Sequence, residues 1–260
     1  LSMEKLETPD GTKPYFMQYS VTDSRSCVVS ATLGAITNDD DNHSRVCEVD
    51  VRCGDYAIDN SHQIRGQGGG SYDAGGGYVP LPLNDDETAS RHAIWLKTDE
   101  RFKSAAKRLG QVKANIKVKV EEEDPSDDFT REEPVVRVDP FVRQQIDRGV
   151  WAERVRGYSR RFRAHPMIFN SAVTLSGRVS NRLSANSEGS KLQFGRGFWR
   201  ISIAASTLAD DGMELSQATT FDAQSPDGLP DDKTVEAGID QVIADLAALR
   251  AAPIVDPYTG

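Results

Sequence analysis

Strict alternation of apolar and polar residues is the feature that most constrains the fold of this chain. Between Cys47 and Cys53 the sequence CEVDVRC places an apolar side chain at every second position. The stretch from Val173 to Leu183 has a similar alternation, carried by Val173, Leu175, Gly177, Val179 and Leu183. A period of two residues buries one face of a strand and leaves the other in water, which is typical of antiparallel sheets. The sequence therefore predicts two mainly antiparallel sheet units.

Further strands and turns are indicated by composition. Pro14–Asp23 and Ser26–Thr37 are rich in β-branched and aromatic residues and predict two strands, and the polar run Asn38–Asn42 predicts the turn after them. In the second half, Asn186–Gly189 predicts a turn and Trp199–Ala205 the strand that returns from it.

Helical spacing of apolar residues predicts three helices. The first is capped by Asp85 or Asp86 and runs to about Val120, and the second lies around Phe141–Ala164. The third runs from about Asp232 to Ala251, and Pro253 ends it. Strands followed by a helix, twice over, predict an α+β fold of two similar halves with long flanking helices and an internal duplication.

The predicted domain organisation follows the chain. Residues 1–124 form the first half, the acidic, proline-containing stretch 125–140 is the joint, and residues 141–260 form the second half. Glycine dominates Gln63–Gly77, which predicts a mobile loop with a poorly ordered segment within Gly66–Gly77.

Charge and hydropathy exclude two classes of partner. The formal net charge of -9 repels a phosphate backbone, so we expect no nucleic acid. The mean hydropathy is -0.51, and no apolar run approaches the roughly 20 residues that span a bilayer, so we expect a soluble protein with no membrane partner. Leu1 opens inside the tail of a helix, so we expect the natural start to precede it. The compartment stays open, with the cytoplasm favoured over export.

Cysteines and tryptophans are predicted to be structural. Cys47 and Cys53 lie six residues apart on one strand, about 20 Å, which is too far for a disulfide. We expect all three cysteines, including Cys27, to be reduced core residues. By size we expect core or interface positions for the tryptophans, Trp95, Trp151 and Trp199.

Metal and catalytic motifs are missing from the sequence. The four histidines lack the one-turn spacing of a zinc site, so we expect them to be exposed or hydrogen-bonded; they are His43, His62, His92 and His165. Asp39–Asn42 lacks the spacing of a calcium loop. There is no Gly-x-Ser-x-Gly elbow and no phosphate loop. The sequence thus predicts no catalytic residue and no metal ligand.

Several short motifs, in order, resemble the TldD/PmbA family, named historically as modulators of DNA gyrase. In the second half they are NSEG at 186–189, the strand 199–207, ADDGME at 209–214 and APIVDPYTG at 252–260. In the first half, which resembles a longer branch of the family, they are TDS at 22–24, SATLG at 30–34, VRCGDY at 51–56 and VPLPL at 79–83. The resemblance covers most of the chain.

The resemblance implies a division of labour. In the family, zinc is bound by a His-Glu-x-x-x-His helix and a Cys in a C-terminal domain, which would begin beyond Gly260. Members are bacterial metalloproteases that act as homo- or heterodimers and degrade or trim unfolded peptides in a closed cavity. The N-terminal part shapes the way in. This chain is then expected to hold no cofactor, to be inactive alone, and to act with its own C-terminal metalloprotease domain.

Two turns are the candidate contacts with the cleft or with an interface. Their residues are Asn186, Ser187, Glu188 and Gly189, and Asp211, Gly212, Met213 and Glu214. Two alternatives stay open. One is a free-standing binding or structural module without an enzyme, and the other is a hydrolase that uses Asp210, Asp211 and Glu214 as acid and base.

Overall fold

A computed structural model describes residues 3–64, 77–116, 126–143 and 145–253. Its strands are β1 (Pro14–Thr32), β2 (Ala35–Cys53), β3 (Tyr78–Pro80), β4 (Val136–Val138), β5 (Ile168–Asn186), β6 (Lys191–Leu208) and β7 (Glu214–Ala223). Its α-helices are α1 (Glu87–Ile116), α2 (Arg148–Arg160) and α3 (Asp232–Ala251). Short 3-10 helices lie at Met3–Lys5, Arg161–Ala164 and Pro226–Gly228. The predicted disorder within Gly66–Gly77 and the motif residues 254–260 lie outside the described residues, except for Gly77 itself.

In the described residues the strands form one sheet. Its order is β3-β2-β1-β5-β6-β4, and β7 also pairs with β6. β3 and β7 pair antiparallel with β2 and β6, whereas β4 is parallel to β6, with Val136 opposite Lys191. The predicted α+β class and mainly antiparallel sheet are confirmed. Because β1 pairs with β5, the strands of both predicted halves join one seven-stranded sheet. The internal duplication stays a prediction.

Contacts between Cα atoms divide the chain into two compact units. Unit 1 comprises residues 1–24, 43–141 and 181–195, and unit 2 comprises residues 25–42, 142–180 and 196–260. Each unit thus combines three separate stretches, whereas the predicted halves follow the chain. The physical reason is the length of β1, β2, β5 and β6, each of which contributes residues to both units.

The first hairpin differs from its prediction. β1 continues to Thr32, and the chain turns at Leu33 and Gly34, which have φ values of +48° and +82°. Ser26–Thr37 is therefore not one strand, and Asn38–Asn42 lies within β2 and is not a turn. Polar residues can continue a strand where it is largely exposed, and Asp39 to Asn42 are all exposed.

The core of unit 1 lies between α1 and the β1–β2 hairpin. Its buried members are Met17, Cys47, Val49, Val51, Cys53, Phe102, Ala105 and Leu109. The alternation predicted from Cys47 to Cys53 is confirmed, and all three cysteines of the chain are free and buried as predicted. Asp86 caps α1, because its carboxylate accepts a hydrogen bond of 2.9 Å from the backbone N–H of Ala89. The helix continues through Gly110 to Ile116.

The tryptophan predictions are confirmed for two of three residues. Trp151 and Trp199 are buried in unit 2, whereas Trp95 is 57% exposed. Ile94, the preceding residue, packs against the core of unit 1, so Trp95 lies on a different side of the helix at that turn. A core position for Trp95 is therefore wrong, and its interface role stays a prediction.

The core of unit 2 lies between α2, α3 and the strands. Buried strand residues are Val29, Ala31, Val173, Leu175, Ile201, Ile203 and Ala205, and they pack against helix residues that include Val155, Phe162, Ile239 and Leu246. α2 is shorter than predicted, because Asp147 caps it by accepting a bond of 3.1 Å from Val150 N–H. α3 has the predicted bounds. The sequence prediction missed β7, which is exposed at alternate positions and packs against α3.

One close contact in unit 2 requires glycine. A Cβ atom at Gly177 would lie 2.1 Å from the Trp199 ring, so the indole lies directly over the Gly177 backbone. Trp199 is 3% exposed there. No helix in the described part of the chain is both long and apolar enough to cross a membrane.

Candidate functional site

The turn between β5 and β6 forms as predicted. Asn186 N–H donates to the Ser190 carbonyl over 3.1 Å, and the Asn186 side-chain oxygen accepts from Ser190 N–H over 2.9 Å. Gly189 adopts a φ of +103°, a conformation that favours glycine. The Asn-Ser-Glu-Gly sequence therefore determines the local backbone path.

Bonds to β1 and to a loop hold this turn within unit 1. Ser187 N–H donates to the Met17 carbonyl over 2.9 Å, and Met17 N–H donates to the Ser187 hydroxyl over 3.1 Å. The Glu188 carboxylate accepts a short hydrogen bond from the Tyr56 hydroxyl. This bond raises the pKa of Tyr56 above its usual value. Ser187 and Glu188 are thus held by residues far away in sequence.

Aromatic rings and guanidinium groups surround Tyr56. Its ring lies 5.0 Å from that of Tyr15 and 6.1 Å from that of Phe129, measured between centroids. Arg131 stacks over the Tyr56 ring at 4.1 Å, and Arg52 stacks over the Phe129 ring at the same distance. Stacked guanidinium groups keep their charge near water while their planes cover apolar rings.

A buried carboxylate, Asp59, lies beneath these rings. Its side chain is 0% exposed. It accepts hydrogen bonds of 2.7 Å from the Tyr15 hydroxyl, 3.0 Å from Arg52, and 2.6 Å from both the backbone N–H and the hydroxyl of Ser61. Burial on its own raises the pKa of Asp59, but the hydrogen bonds from Ser61 and Tyr15 outweigh burial and lower that pKa. Asp59 is thus an ionised group with four donors.

The loop that carries Asp59 needs glycine at its start. Gly54 has a φ of +114°, and a Cβ atom there would lie 2.5 Å from the Ile58 carbonyl oxygen. Asp55 then accepts bonds of 3.0 Å from the N–H groups of Ala57 and Ile58. Sequence reasoning missed the Asp59 network. The available signal was the Gly-Asp-Tyr at 54–56, directly after a buried strand.

Two histidines of unit 1 bond to aspartates, as predicted for hydrogen-bonded histidines. His62 lies 2.8 Å from Asp128, which also accepts a 2.8 Å bond from Asp59 N–H. His43 lies 2.9 Å from Asp23. Within the described residues, no group of three or more His, Cys, Asp or Glu side chains could hold a metal ion. That part of the chain does not fit a zinc centre.

The turn between β6 and β7 forms in unit 2 and is bonded mainly within itself. Ala209 N–H donates to the Met213 carbonyl over 2.8 Å, and Gly212 has a φ of +86°. The Asp211 carboxylate accepts a 3.0 Å bond from Met213 N–H, while the Met213 side chain is exposed. The turn is therefore closed by its own backbone and by Asp211.

The acid and base arrangement considered from the sequence is not seen at this turn. Asp210 pairs with Arg250 over 3.2 Å and its side chain is 87% exposed. Asp211 bonds to its own turn, and Glu214 is exposed at the first position of β7. Carboxylates that are exposed and separately bonded do not converge on one reacting group, as a general acid and base must. The two candidate turns fall in different units.

Comparisons with known proteins connect this fold to solved structures. No protein-family model matches the sequence, and no curated protein matches it. TldE from Thermococcus kodakarensis matches with a TM-score of 0.55 and 11% identity, over 90% of this chain and 44% of that chain. A candidate modulator of a DNA gyrase from Thermotoga maritima matches with a TM-score of 0.53 and 12% identity, over 93% of this chain and 46% of that chain.

A third solved structure matches to a similar extent. A candidate modulator of DNA gyrase from Bacteroides thetaiotaomicron matches with a TM-score of 0.53 and 9% identity, over 89% of this chain and 46% of that chain. Identities this low show a shared fold alone. The chain therefore has the fold of TldE and of these gyrase-modulator structures, as the sequence resemblance implies, and spans less than half of their length.

Proposed function

We propose that this chain is the N-terminal substrate-gating and assembly part of a TldD/PmbA-like zinc metalloprotease that degrades or trims peptides. The observation that supports it is the fold match, which takes in about nine tenths of this chain but under half of each matched structure. The proposal assigns catalysis to a metal domain that would follow residue 260, with zinc as its cofactor.

The division of labour follows from what peptide hydrolysis requires. An activated water, a general base and a stabilised oxyanion must converge at one place. In the proposal the metal domain supplies them, and this chain places the substrate. A flexible peptide is the substrate class, because a narrow entrance admits an extended chain and excludes a folded one.

The two turns are the proposed points of contact. The Asn186–Gly189 turn is rigidly held and would orient whatever it touches through the second carboxylate oxygen of Glu188. The turn at Asp211–Glu214 offers the exposed Met213 to a neighbouring domain or a partner subunit. Rigid polar contacts orient, whereas an exposed thioether adapts to varied apolar surfaces.

Activity separates this proposal from a binding module. The full-length protein should cleave unstructured peptides and lose that activity to chelators, while the 260-residue chain with added zinc should cleave nothing. Zinc-dependent cleavage by the purified chain, absent from a mock purification, would overturn the proposal. A full-length gene product that has no His-Glu-x-x-x-His sequence and no peptidase activity would favour the free-standing module.

Substitutions at the turns test the placement role. In the full-length protein, Glu188→Gln and Asp211→Asn should change the KM for peptides or the dimer dissociation constant, and leave the zinc content unchanged. Metal content is measured by elemental analysis and assembly by sedimentation. Asp227→Asn is the matched control, because this carboxylate is exposed, belongs to unit 2 and lies outside both turns. Loss of zinc in either turn variant would contradict a placement role.

A further inference from the structure

Unit 2 contains a cavity of about 120 Å³ that the proposed function does not use. Buried residues of three strands line its inner part, namely Cys27 of β1, Val179 of β5 and Trp199 of β6. Ile146, just before α2, forms a side wall. The inner surface is therefore apolar and belongs to the packed sheet.

Gly177 and Trp199 both line the cavity and lie in close contact. A Cβ atom at position 177 would lie 2.1 Å from the indole, so a larger residue there would displace the ring. Cys27 is 8% exposed, and burial raises the pKa of its thiol, which keeps that thiol neutral near pH 7. A neutral thiol behaves as a small apolar group.

Charged residues line the outer part of the cavity. Arg25, Arg148 and Asp41 are the charged lining residues. Arg25 contacts Asp41 at 3.4 Å, and Arg148 contacts it at 3.8 Å, both longer than the ~2.8 Å of a strong charge-assisted hydrogen bond. Asp41 therefore leaves most of the Arg25 donors available.

Arg148 is more fully occupied than Arg25. Its Nε donates to the Asp39 carboxylate over 3.0 Å, and its Nη2 donates to the Asp39 carbonyl over 3.1 Å. The Arg25 side chain is half exposed, and Asp41 is the carboxylate that it contacts within the described residues. Arg25 is thus the cation with the greatest free capacity to bind a carboxylate in a two-pronged geometry.

We propose that this cavity binds a monocarboxylate with a compact apolar body. The carboxylate binds Arg25, and the apolar body packs against Trp199, Val179 and Cys27. The volume of about 120 Å³ is slightly below that of the apolar cavity of about 150 Å³ that binds benzene, so one small ring is the largest body that the cavity can hold. Either a free acid or the C-terminal residue of a peptide has this chemistry. The proposal does not rest on the proposed protease function.

Calorimetry with phenylacetate tests the charge preference. Phenylacetate should bind saturably at millimolar concentrations, more tightly than benzyl alcohol, and benzylamine should bind least. Arg25→Gln should weaken phenylacetate about tenfold or more and leave benzyl alcohol unchanged. Arg182→Gln is the matched control, because Arg182 is similarly exposed and contacts Glu48 at a similar 3.5 Å in unit 1. Equal binding of benzylamine and phenylacetate would overturn the assignment.

Two further measurements distinguish the two sources of the carboxylate and locate the binding site. A peptide ending in Phe, compared with its C-terminal amide, shows whether a chain end enters; binding of phenylacetate alone assigns the cavity to free acids. Phenylacetate should slow alkylation of Cys27, read by mass spectrometry, and leave the fully buried Cys47 and Cys53 unchanged as internal references. Binding without protection of Cys27, or no saturable binding of any acid to the folded chain, would refute the proposal.

Discussion

The two hairpin ends singled out by the sequence differ in how they are held. The Asn186–Gly189 turn bonds to Met17 and Tyr56, residues more than a hundred positions away. The turn at Asp211–Glu214 is closed by its own backbone and by Asp211. Both have glycine at a positive φ, so similar turn chemistry yields either an anchored or a self-contained structure. The difference lies in distant partners, which a turn motif does not encode.

The largest expected effect is at Asp59. This buried carboxylate lies beneath the rings around Tyr56 and so supports the anchored turn, Asn186–Gly189. Asp59→Ala leaves Arg52 and Tyr15 without their buried partner, and we expect the free energy of unfolding to fall by about 3–5 kcal/mol. Asp210→Ala at the self-contained turn should change it by less than about 0.5 kcal/mol, because that carboxylate is exposed. Urea denaturation measures both. Similar losses in the two variants would remove the contrast.

Acid should weaken the anchored turn through the same carboxylate. The pKa of Asp59 is lowered in the folded chain, so its stabilisation is present above the unfolded value of about 3.9 and is lost as pH falls through the folded value. Wild-type stability should therefore decline below about pH 4 more steeply than that of Asp59→Asn. Denaturation midpoints across this range measure the slopes. Parallel slopes would show that Asp59 keeps an ordinary pKa.

A smaller effect is expected at the hydrogen bond to the turn itself. Tyr56→Phe removes the donor to Glu188 but keeps the stacked ring, so we expect only a small fall in the free energy of unfolding, below that of Asp59→Ala. Proton exchange of the amides of Ser187 and Ser190 should rise with it. Unchanged stability and unchanged exchange in the variant would show that the bond to Glu188 contributes no net stability.

Periodicity and turn chemistry predicted what depends on neighbours in sequence. The alternation at Cys47–Cys53, the glycine turns and α3 all follow from local pattern, and they are confirmed. The prediction failed at Asn38–Asn42, because a run of polar residues is compatible with a turn and equally with a long exposed strand. It also failed at Trp95, because the adjacent Ile94 occupies the packed side of the helix, and size alone does not place a side chain there.

Only the parts of the candidate site that depend on neighbours in sequence could be predicted. The Asn186–Gly189 and Asp211–Glu214 turns were found from their composition. Asp59 and Arg25 were not, because their importance arises from burial and from a cavity that distant strands create. Both depend on strand pairing over long separations, which one sequence does not specify.

The smallest expected effect on stability is at the self-contained turn, where Met213 tests whether that turn docks. The side chain is 62% exposed, so Met213→Ser should change the free energy of unfolding by less than about 0.5 kcal/mol. Burying a methionine at an interface contributes roughly 1.5–3 kcal/mol, so assembly of the full-length protein should weaken about tenfold or more. Leu83→Ser, another exposed apolar residue but in unit 1, is the control. Sedimentation measures the dissociation constant, and peptide turnover separates KM from kcat. If Met213→Ser leaves both unchanged in a folded protein, the turn only connects β6 to β7.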